Sequence, residues 1–362
     1  MTKLVVVIRA GGLGTRLWPM SRRRKPKQFW PLVSEHPLIV DAYERYRPLV
    51  ASPRRLFLTV AAPFVSRVRS LFPRLPRENI IGEPVSRNTG PAVGLESVVL
   101  QTRFGREDPV VASVTCDDVF PRAAAYRSVL NRAAAALRRG AGAVVAVGDR
   151  VSDPDPGLSY MQVGRPVHRV GSYSLRPVLR WVEKPTGALL TRVANAAHYV
   201  AHTGQYLWRL STVIDILEAY HPHLWPRFAR IRQAWPTRQR ATVLAREYPR
   251  LPSLSIEQLV TAVAPRVLAA CGDFQWSDTG KWFLIHKLRT GGVGNALRGR
   301  VVAIDSDRSL AFGSSRLIAL LGVRDLIVVD TPDALLVTTH AASPRVKEMV
   351  DELARRGSRR LL

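Results

Sequence analysis

A glycine-rich loop directly follows the first apolar run and is the segment best suited to chemistry. Residues 11–19 read Gly-Gly-Leu-Gly-Thr-Arg-Leu-Trp-Pro, so the backbone can turn sharply and present N–H groups to an anion. Arg16 adds a forked positive charge. The loop is neither a Walker A loop nor a dinucleotide fingerprint, because no Gly-Lys-Ser/Thr follows and Leu17 replaces the third glycine. It suits a polyphosphate.

A basic stretch continues from the loop, with residues Arg22, Arg23, Arg24, Lys25 and Lys27. Most runs of this kind are solvated surface. Here the run lies beside a phosphate-suited loop at the carboxyl end of a predicted strand, and this favours phosphate binding.

From Ile8 to Leu32 the sequence resembles the signature of the mannose-1-phosphate guanylyltransferase family of sugar nucleotidyltransferases. The matching elements are Gly14 to Pro19, Ser21-Arg22 and Pro26 to Phe29. The resemblance implies an enzyme that forms GDP-mannose and pyrophosphate from GTP and mannose 1-phosphate by in-line attack on the α-phosphate.

Further segments resemble family motifs along nearly the whole chain. They are Glu83-Pro84 with Arg87 to Ala92 near the guanine base, Trp181 to Pro185 at the sugar, Trp276 to Trp282, and Val328 to Leu336. The catalytic residues implied are Arg16, Lys27 and Asp117. The nucleotide-binding residues implied are Gly11, Gly12, Gly14, Thr15, Arg16, Lys27, Arg87 and Asn88. The sugar-binding residues implied are Gly157, Ser159, Glu183, Lys184 and His202.

Two carboxylates are candidates for a magnesium site. Asp117 follows the apolar run Val110 to Val114, at the end of a strand where ligands bind in open α/β sheets. Asp278 lies in a turn between two tryptophans. Both match family positions that bind the metal, and Mg²⁺ is commonly held by one or two carboxylates and by phosphate oxygens. The alternative is a pair of turn carboxylates that cap nearby N–H groups.

Several residues depart from the family pattern, mostly where the sugar is expected. Ser159 replaces a glycine, His202 an asparagine and Glu257 an aspartate, so the sugar specificity, or activity itself, is left open. Arg9 and Lys281 add cations near the loop, which would suit phosphates. Asp118 replaces a histidine next to the key aspartate.

Four apolar runs are predicted as strands buried on both faces: Leu4 to Ile8, Leu56 to Val60, Val110 to Val114, and Ala143 to Val147. Helical segments separate them, of which Ala123 to Arg139 is the clearest. This order predicts an α/β fold with a doubly wound sheet. The resemblance implies a Rossmann-like nucleotidyltransferase domain, with a GT-A-like mixed sheet and flanking helices, and then a small left-handed β-helix-like domain.

The predicted domains are residues 1–285 and 286–362. Short apolar stretches at Arg300 to Ile304, Leu317 to Leu320, Leu326 to Val329 and Leu335 to Val337 indicate an all-β tail. A terminal helix follows, with Ser343 and Pro344 at its N-cap and first position. The resemblance implies a homodimer formed through the β domain.

Bulk composition narrows the class of protein. The chain has 362 residues, 46% of them hydrophobic, and a formal charge of +26, which favours anionic partners. Cys116 and Cys271 stand far apart, with neither a disulfide framework nor a zinc spacing. No stretch is apolar enough for a signal peptide or a membrane span, so a cytoplasmic location is expected.

Three alternatives to this function remain. The chain transfers another nucleotide or acts on another hexose 1-phosphate, or it is a non-catalytic paralogue that binds a nucleotide sugar. Nucleic-acid binding rests on charge alone, without any recognition motif, and no specific nucleic acid is expected as a partner.

Overall fold

The computed structural model describes residues 4–141, 144–171 and 173–362, which form two compact units. The first comprises residues up to Gly11, Glu44–Thr115 and Phe120–Trp276. The second comprises Gly12–Tyr43, Cys116–Val119 and Ser277–Leu362. The domain boundary after residue 285 stays a prediction.

The first unit is built on a mixed β-sheet, whose strands are mostly apolar and β-branched. In chain order they are β1 Leu4–Arg9, β2 Leu56–Ala61, β3 Ile80–Glu83, β4 Val110–Thr115, β6 Val144–Arg150, β7 Ser159–Val163, β8 His168–Val170, β9 Tyr173–Glu183, β10 Tyr199–Arg209 and β11 Val267–Gly272. The spatial order is β3-β2-β1-β4-β10-β6-β11-β9-β7, with β8 on β9. Strands β1 to β4 pair in parallel, as do β6 and β11, whereas β10 runs antiparallel between β4 and β6.

The described residues also form helices, which belong to both units. They are α1 Leu38–Tyr46, α2 Val65–Leu71, α3 Thr89–Phe104, α4 Ala123–Arg138, α5 Gly187–Asn195, α6 Leu210–Tyr220, α7 Trp225–Ala234, α8 Arg240–Glu247, α9 Trp282–Thr290 and α10 Val346–Arg355. Helix α3 is buried along most of its length, from Gly90 to Leu100, and it packs in a core that also contains Val5, Phe57 and Phe228.

The second unit contains a short β-helix. Its strands are β13 Ala296–Arg298, β14 Val301–Ile304, β15 Leu310–Phe312, β16 Ile318–Leu321, β17 Leu326–Thr331 and β18 Ala334–Thr339. Val301 pairs with Ile318 and Leu310 with Ile327, in parallel, each 17 residues apart, whereas Ala296 pairs with Leu310, 14 residues on. A two-stranded ladder of β5 Asp118–Val119 and β12 Ser277–Asp278 belongs to the same unit.

Most predicted elements are present. The first three predicted strands are β1, β2 and β4, and the helix from Ala123 is α4. The fourth corresponds to β6, although its predicted first residue, Ala143, lies outside the described residues. The tail has the predicted all-β character, and its handedness stays a prediction.

The terminal helix begins differently from the prediction. Ser343–Arg345 form a 3-10 turn, and Arg345 rather than Ser343 caps α10. Proline at the second position suits this turn as well as it suits an α-helix, since its missing N–H has no partner in either. The described part of the chain has no helix with the length and apolar character needed to cross a bilayer.

Candidate active site

The glycine-rich loop leaves the carboxyl end of β1 with two glycines in conformations that other residues rarely adopt. Gly12 has a φ of 91° and Gly14 a φ of 60°. The 3-10 turn Thr15–Leu17 follows, with the Leu17 N–H donating to the Gly14 carbonyl at 2.9 Å. Ser21 Oγ donates to the Leu13 carbonyl at 2.5 Å and so fixes the loop from behind. The glycines, the 3-10 turn and the Ser21 hydrogen bond therefore fix the conformation of this loop.

Gly14 also makes room for Lys27. A β-carbon added to Gly14 would stand 2.7 Å from Lys27 Cδ, closer than side chains approach one another. The aliphatic part of the lysine thus lies directly against the loop backbone.

Lys27 forms an ion pair with Asp117. Its Nζ contacts Asp117 Oδ2, and the two side chains are 12% and 24% exposed. Burial alone would lower the pKa of the Lys27 ammonium, but the charge and hydrogen bond of Asp117, with the charge of Asp278, outweigh it and raise the pKa. The structure therefore brings Lys27 and both predicted metal ligands together.

Local contacts hold the two carboxylates in place. Strand β5, which begins directly after Asp117, pairs with β12, in which Asp278 is opposite Asp118. Thr279 Oγ1 donates to the Asp117 carbonyl at 2.6 Å. A β-carbon on Gly280 would stand 2.7 Å from Asp278 Oδ2, so glycine is needed in this turn.

This donor set fits a magnesium ion. Asp117 and Asp278 supply the carboxylate oxygens that Mg²⁺ prefers, and both act on one cation, the Lys27 ammonium. Within residues 4–141, 144–171 and 173–362, no cluster of three or more Cys, His, Asp or Glu is arranged to hold a metal. A magnesium ion here would take its remaining ligands from water and from substrate oxygens.

Arg16 is the exposed cation of the loop. It lies in the 3-10 turn after Gly14, and it makes no ion pair with any described residue. Its guanidinium is therefore available to a ligand, as are the exposed backbone atoms of Gly11 and Gly12.

The Arg87-Asn88 segment lies at the start of α3 in the first unit. The Asn88 Oδ1 accepts a hydrogen bond from the Thr89 N–H at 2.8 Å and caps the helix. Arg87 Nη2 donates to the Pro249 carbonyl. A β-carbon on Gly90 would stand 2.7 Å from the Ser255 carbonyl. The segment is thus fixed against residues 249–255, and the exposed Asn88 Nδ2 is accessible to a ligand.

Three of the predicted sugar residues meet at the paired ends of β7 and β9. Ser159 is opposite Glu183 in the ladder, and its Oγ donates to Glu183 Oε2. Lys184 Nζ lies 3.2 Å from Glu183 Oε1. Gly157 is exposed in the preceding turn, where its N–H donates to Asp155 Oδ1 at 2.7 Å. These residues form an accessible polar cluster in the first unit.

His202 is buried in β10 among aromatic rings. Its ring centroid is 4.8 Å from that of Trp181 and 5.1 Å from that of Tyr206. Burial lowers the pKa of His202, against the raising effects of the Glu257 and Glu183 charges, so the imidazole is neutral at pH 7. Its Nε2 is buried without a hydrogen-bond partner among the described residues.

The expectation that Arg9 adds a cation for phosphates is wrong. Arg9 is buried in the sheet, where it donates to Ser113 Oγ and, at 2.8 Å, to the Gly204 carbonyl. Its charge acts on Glu96 and Glu83, which are buried too. Arg9 is thus the counter-ion of a buried acidic pair.

Lys281 is also buried, with its ammonium 5.5 Å from the Phe283 ring centroid.

Sequence reasoning missed the supporting roles of Ser21, Thr279 and Glu96. For Thr279 a signal existed, since it lies next to Asp278 in a turn that resembles a family motif. Nothing in the sequence signals the partner of Glu96.

Known proteins resemble this chain over nearly its whole length. Residues 5–289 match the nucleotidyl transferase family, and residues 299–353 match the MannoseP isomerase/GMP-like beta-helix domain. The chain is 30% identical over 362 residues to xanthan biosynthesis protein XanB of Xanthomonas campestris pv. campestris, covering 99% of this chain and 74% of that protein. It is 26% identical over 352 residues to a mannose-1-phosphate guanylyltransferase of Escherichia coli, covering 97% and 75%.

Among solved structures, a Thermus thermophilus protein described as a mannose-1-phosphate geranyltransferase is 28% identical. It superposes with a TM-score of 0.81, covering 98% of this chain and all of that chain. The predicted fold class is therefore confirmed. On these matches, the chain belongs to the mannose-1-phosphate guanylyltransferase family of sugar nucleotidyltransferases.

Proposed function

We propose that this chain is a magnesium-dependent mannose-1-phosphate guanylyltransferase that forms GDP-mannose and pyrophosphate. One observation carries the proposal: a buried ammonium, Lys27, pairs with Asp117 and also feels the charge of Asp278, beside a loop fit for phosphates. An apolar contact often stabilises a fold as well as a buried ion pair does, or better. The presence of this cluster is therefore better explained by function than by stability.

In the proposed reaction, a phosphate oxygen of mannose 1-phosphate forms a bond with the α-phosphorus of GTP. The bond from that phosphorus to the oxygen bridging to the β-phosphate breaks, and pyrophosphate leaves with the electron pair. Both reactants are anionic, so the protein must offset their repulsion and hold them in line. Lys27 and Arg16 provide fixed positive charge for the GTP phosphates.

Asp117 and Asp278 would hold magnesium, which would supply positive charge to the phosphates of GTP. The residues of the chain do the rest. Gly14 keeps Lys27 against the loop, and Thr279 fixes the backbone of Asp117. We assign the guanine base to Arg87 and Asn88.

The sugar phosphate is assigned to the cluster of Ser159, Glu183 and Lys184. These side chains lie at one end of the β7–β9 ladder, and Glu183 and Lys184 are well exposed. We also propose that the enzyme acts in the cytoplasm, where GTP is made.

A non-catalytic protein that binds nucleotide sugars is the second candidate. The observation in its favour is that Ser159, at a usual glycine, donates to Glu183 Oε2 and so occupies an acceptor proposed for a sugar hydroxyl. The intact group of Lys27, Asp117 and Asp278 favours catalysis.

The decisive assay measures pyrophosphate release over a small grid of nucleoside triphosphates and hexose 1-phosphates. We expect release from GTP only with mannose 1-phosphate and magnesium present. Asp117→Asn should lower turnover at least about 100-fold, the usual effect of losing one group that stabilises charge in the transition state. The matched control is Asp351→Asn, an exposed carboxylate paired with Lys347, which should change turnover less than twofold.

The two candidates give opposite results. If no pair of substrates yields pyrophosphate, but GDP-mannose binds equally to the unaltered chain and to Asp117→Asn, the chain is a binding protein. Release with a different hexose phosphate or nucleotide would keep the reaction class and correct the substrate.

A homodimer is also proposed, formed through the β-helix. Val302, Ile304 and Leu321 are 49%, 54% and 70% exposed, and Ile304 and Leu321 are direct neighbours in the β14–β16 ladder. An exposed apolar sheet face of this kind commonly marks a protein interface.

A further inference from the structure

A cavity of about 590 Å³ in the first unit is lined by no residue assigned to the proposed reaction. Its lining residues are Phe57, Glu78, Val99, Thr102, Arg103, Trp235, Pro236, Thr237, Arg238, Arg240 and Ala241. The volume matches that of small-ligand pockets, which are about 300 to 1,000 Å³. It is large enough for a nucleotide or a sugar phosphate.

The cavity lies at the end of the parallel strands opposite to the glycine-rich loop. Phe57 is the second residue of β2, and Glu78 precedes β3. β1 and β2 run in parallel, and the loop with Gly11 follows the carboxyl end of β1. Val99 and Arg103 lie in the last two turns of α3, whose first residue is Thr89. The cavity is therefore separate from the Arg87-Asn88 segment as well.

Three guanidinium groups face this space and a single carboxylate, Glu78, accompanies them. Arg238 and Arg240 form no ion pair with any residue that the structure describes. The pKa of Arg103 is lowered by burial and by the nearby charges of Arg54 and Arg55, in spite of Glu78. The positive charge of the cavity is thus incompletely neutralised by the protein itself.

Aromatic contacts orient two of these guanidiniums. Arg240 lies over the Trp235 ring, with its Cζ 5.2 Å from the centroid. Arg103 lies over Phe57 at 5.6 Å and donates to Asn79 Oδ1 at 2.6 Å. An arginine stacked on a ring keeps N–H groups at its edge, and this planar edge matches phosphate oxygens. The side chains of Arg103 and Arg240 therefore lose little conformational freedom when an anion binds.

We propose that this cavity is a second binding site, for a small phosphate-bearing ligand held by Arg103, Arg238 and Arg240. Trp235 forms one wall of the site and contributes an aromatic face. The inference goes beyond the proposed function and does not depend on it. A small ligand is favoured over an acidic protein segment because the three arginines line one cavity of ligand size, in which Arg238 and Arg240 are exposed to solvent.

The test is calorimetric titration of the full chain without magnesium, with three probes: inorganic pyrophosphate, GDP and guanosine. We expect two sites for each phosphate-bearing probe and no second site for guanosine. The double variant Arg238→Gln/Arg240→Gln should weaken the second site at least tenfold, because charge-assisted hydrogen bonds are lost, and leave the first unchanged. Lys27→Gln should do the reverse.

The matched control is Arg138→Gln/Arg139→Gln, two exposed arginines at the end of α4 that do not line the cavity. It should retain both sites. A Trp235→Phe variant should lose the fluorescence change that accompanies occupancy of the second site. The cavity variants should also release pyrophosphate at the unaltered rate, since none of these residues is assigned to the reaction.

Two outcomes would overturn the proposal. One is the absence, for both phosphate-bearing probes, of any site in the unaltered chain that the double variant Arg238→Gln/Arg240→Gln weakens. The other is a second site that the control and the cavity variants weaken equally, which would indicate general attraction to the basic surface. If the double variant does not fold, the single variant Arg238→Gln, in an exposed turn, gives the same comparison with an expected loss of about tenfold.

Discussion

Replacing Glu96 by glutamine should stabilise the protein at alkaline pH. Glu96 lies in the middle of α3 and is 2% exposed. Ser113 Oγ donates to it at 3.4 Å, and Arg9 and Glu83 are its charged neighbours. Burial raises the pKa of Glu96 to about 7, and the Arg9 charge only partly offsets this effect. The carboxylate form is therefore disfavoured in the folded protein.

The size and sign of the effect follow from linkage. Between the ordinary pKa of 4.5 and the folded value of about 7, the folded state binds more protons than the unfolded state. Stability is thus fully present below about pH 4.5 and is lost as pH rises through about 7. At about 1.36 kcal/mol per pH unit, the loss is about 3 kcal/mol.

Glutamine resembles the protonated acid and does not titrate. We therefore expect Glu96→Gln to exceed the free energy of unfolding of the unaltered chain by about 1 kcal/mol at pH 5 and by about 3 kcal/mol at pH 8. The opposite expectation is that an unpaired Arg9 destabilises the fold, since breaking a buried pair costs about 3 to 5 kcal/mol. Arg9 retains Ser113 and Gly204 as acceptors, which favours the first outcome.

The assay is urea unfolding at pH 5, 6, 7 and 8 of the unaltered chain, Glu96→Gln, and Glu218→Gln, which makes the same change at an exposed helical site. The free energy of unfolding is compared between variants at each pH. This is necessary because the lowered pKa of His202 causes a separate loss of stability towards low pH, opposite to the effect of Glu96. A Glu96→Gln variant that loses stability relative to the unaltered chain as pH rises would refute the reasoning.

Other predictions concern the site and the surface. In the pyrophosphate assay, Gly14→Ala should lower turnover about tenfold or more, because its β-carbon would displace Lys27. The control Gly322→Ala should leave turnover unchanged, because Gly322 has a similar φ of 65° but open space around it. Asp278→Asn should raise the magnesium concentration for half-maximal activity at least about tenfold, as expected for the loss of a charged ligand, and an unchanged magnesium titration would exclude Asp278 as a ligand. Leu321→Arg should convert a dimer into a monomer in light-scattering measurements, while a monomeric unaltered chain would contradict the proposed interface.

The fold was predictable where local pattern and tertiary environment agree. Leu4 to Ile8 and Val110 to Val114 are β-branched runs, and only a strand buried on both faces suits them. β10 was not predicted, because its sequence, Tyr199 to Arg209, mixes aromatic, polar and glycine residues without alternation. Its antiparallel position between β4 and β6 depends on long-range pairing that no local pattern encodes.

The contacts between the candidate site residues were not predictable from the sequence. Lys27 and Asp117 each stand in a recognisable segment, yet their ion pair joins residues 90 positions apart. The prediction for Arg9 failed for the same reason. A charged residue in an apolar strand indicates ligand binding when no neutralising partner is known, and the partner of Arg9, Glu96, lies on a helix far along the chain.

The interleaved course of the chain limits how this protein can be divided by evolution or by the gene engineer. The polypeptide passes between the two compact units five times, and Leu17, Trp18 and Leu32 pack in one core with Trp282 and Phe312. A gene truncated near residue 276 would therefore remove most of the buried apolar residues that pack with the glycine-rich loop segment. The β-helix and the loop therefore have to stay together when the gene is divided or fused, because they share one hydrophobic core.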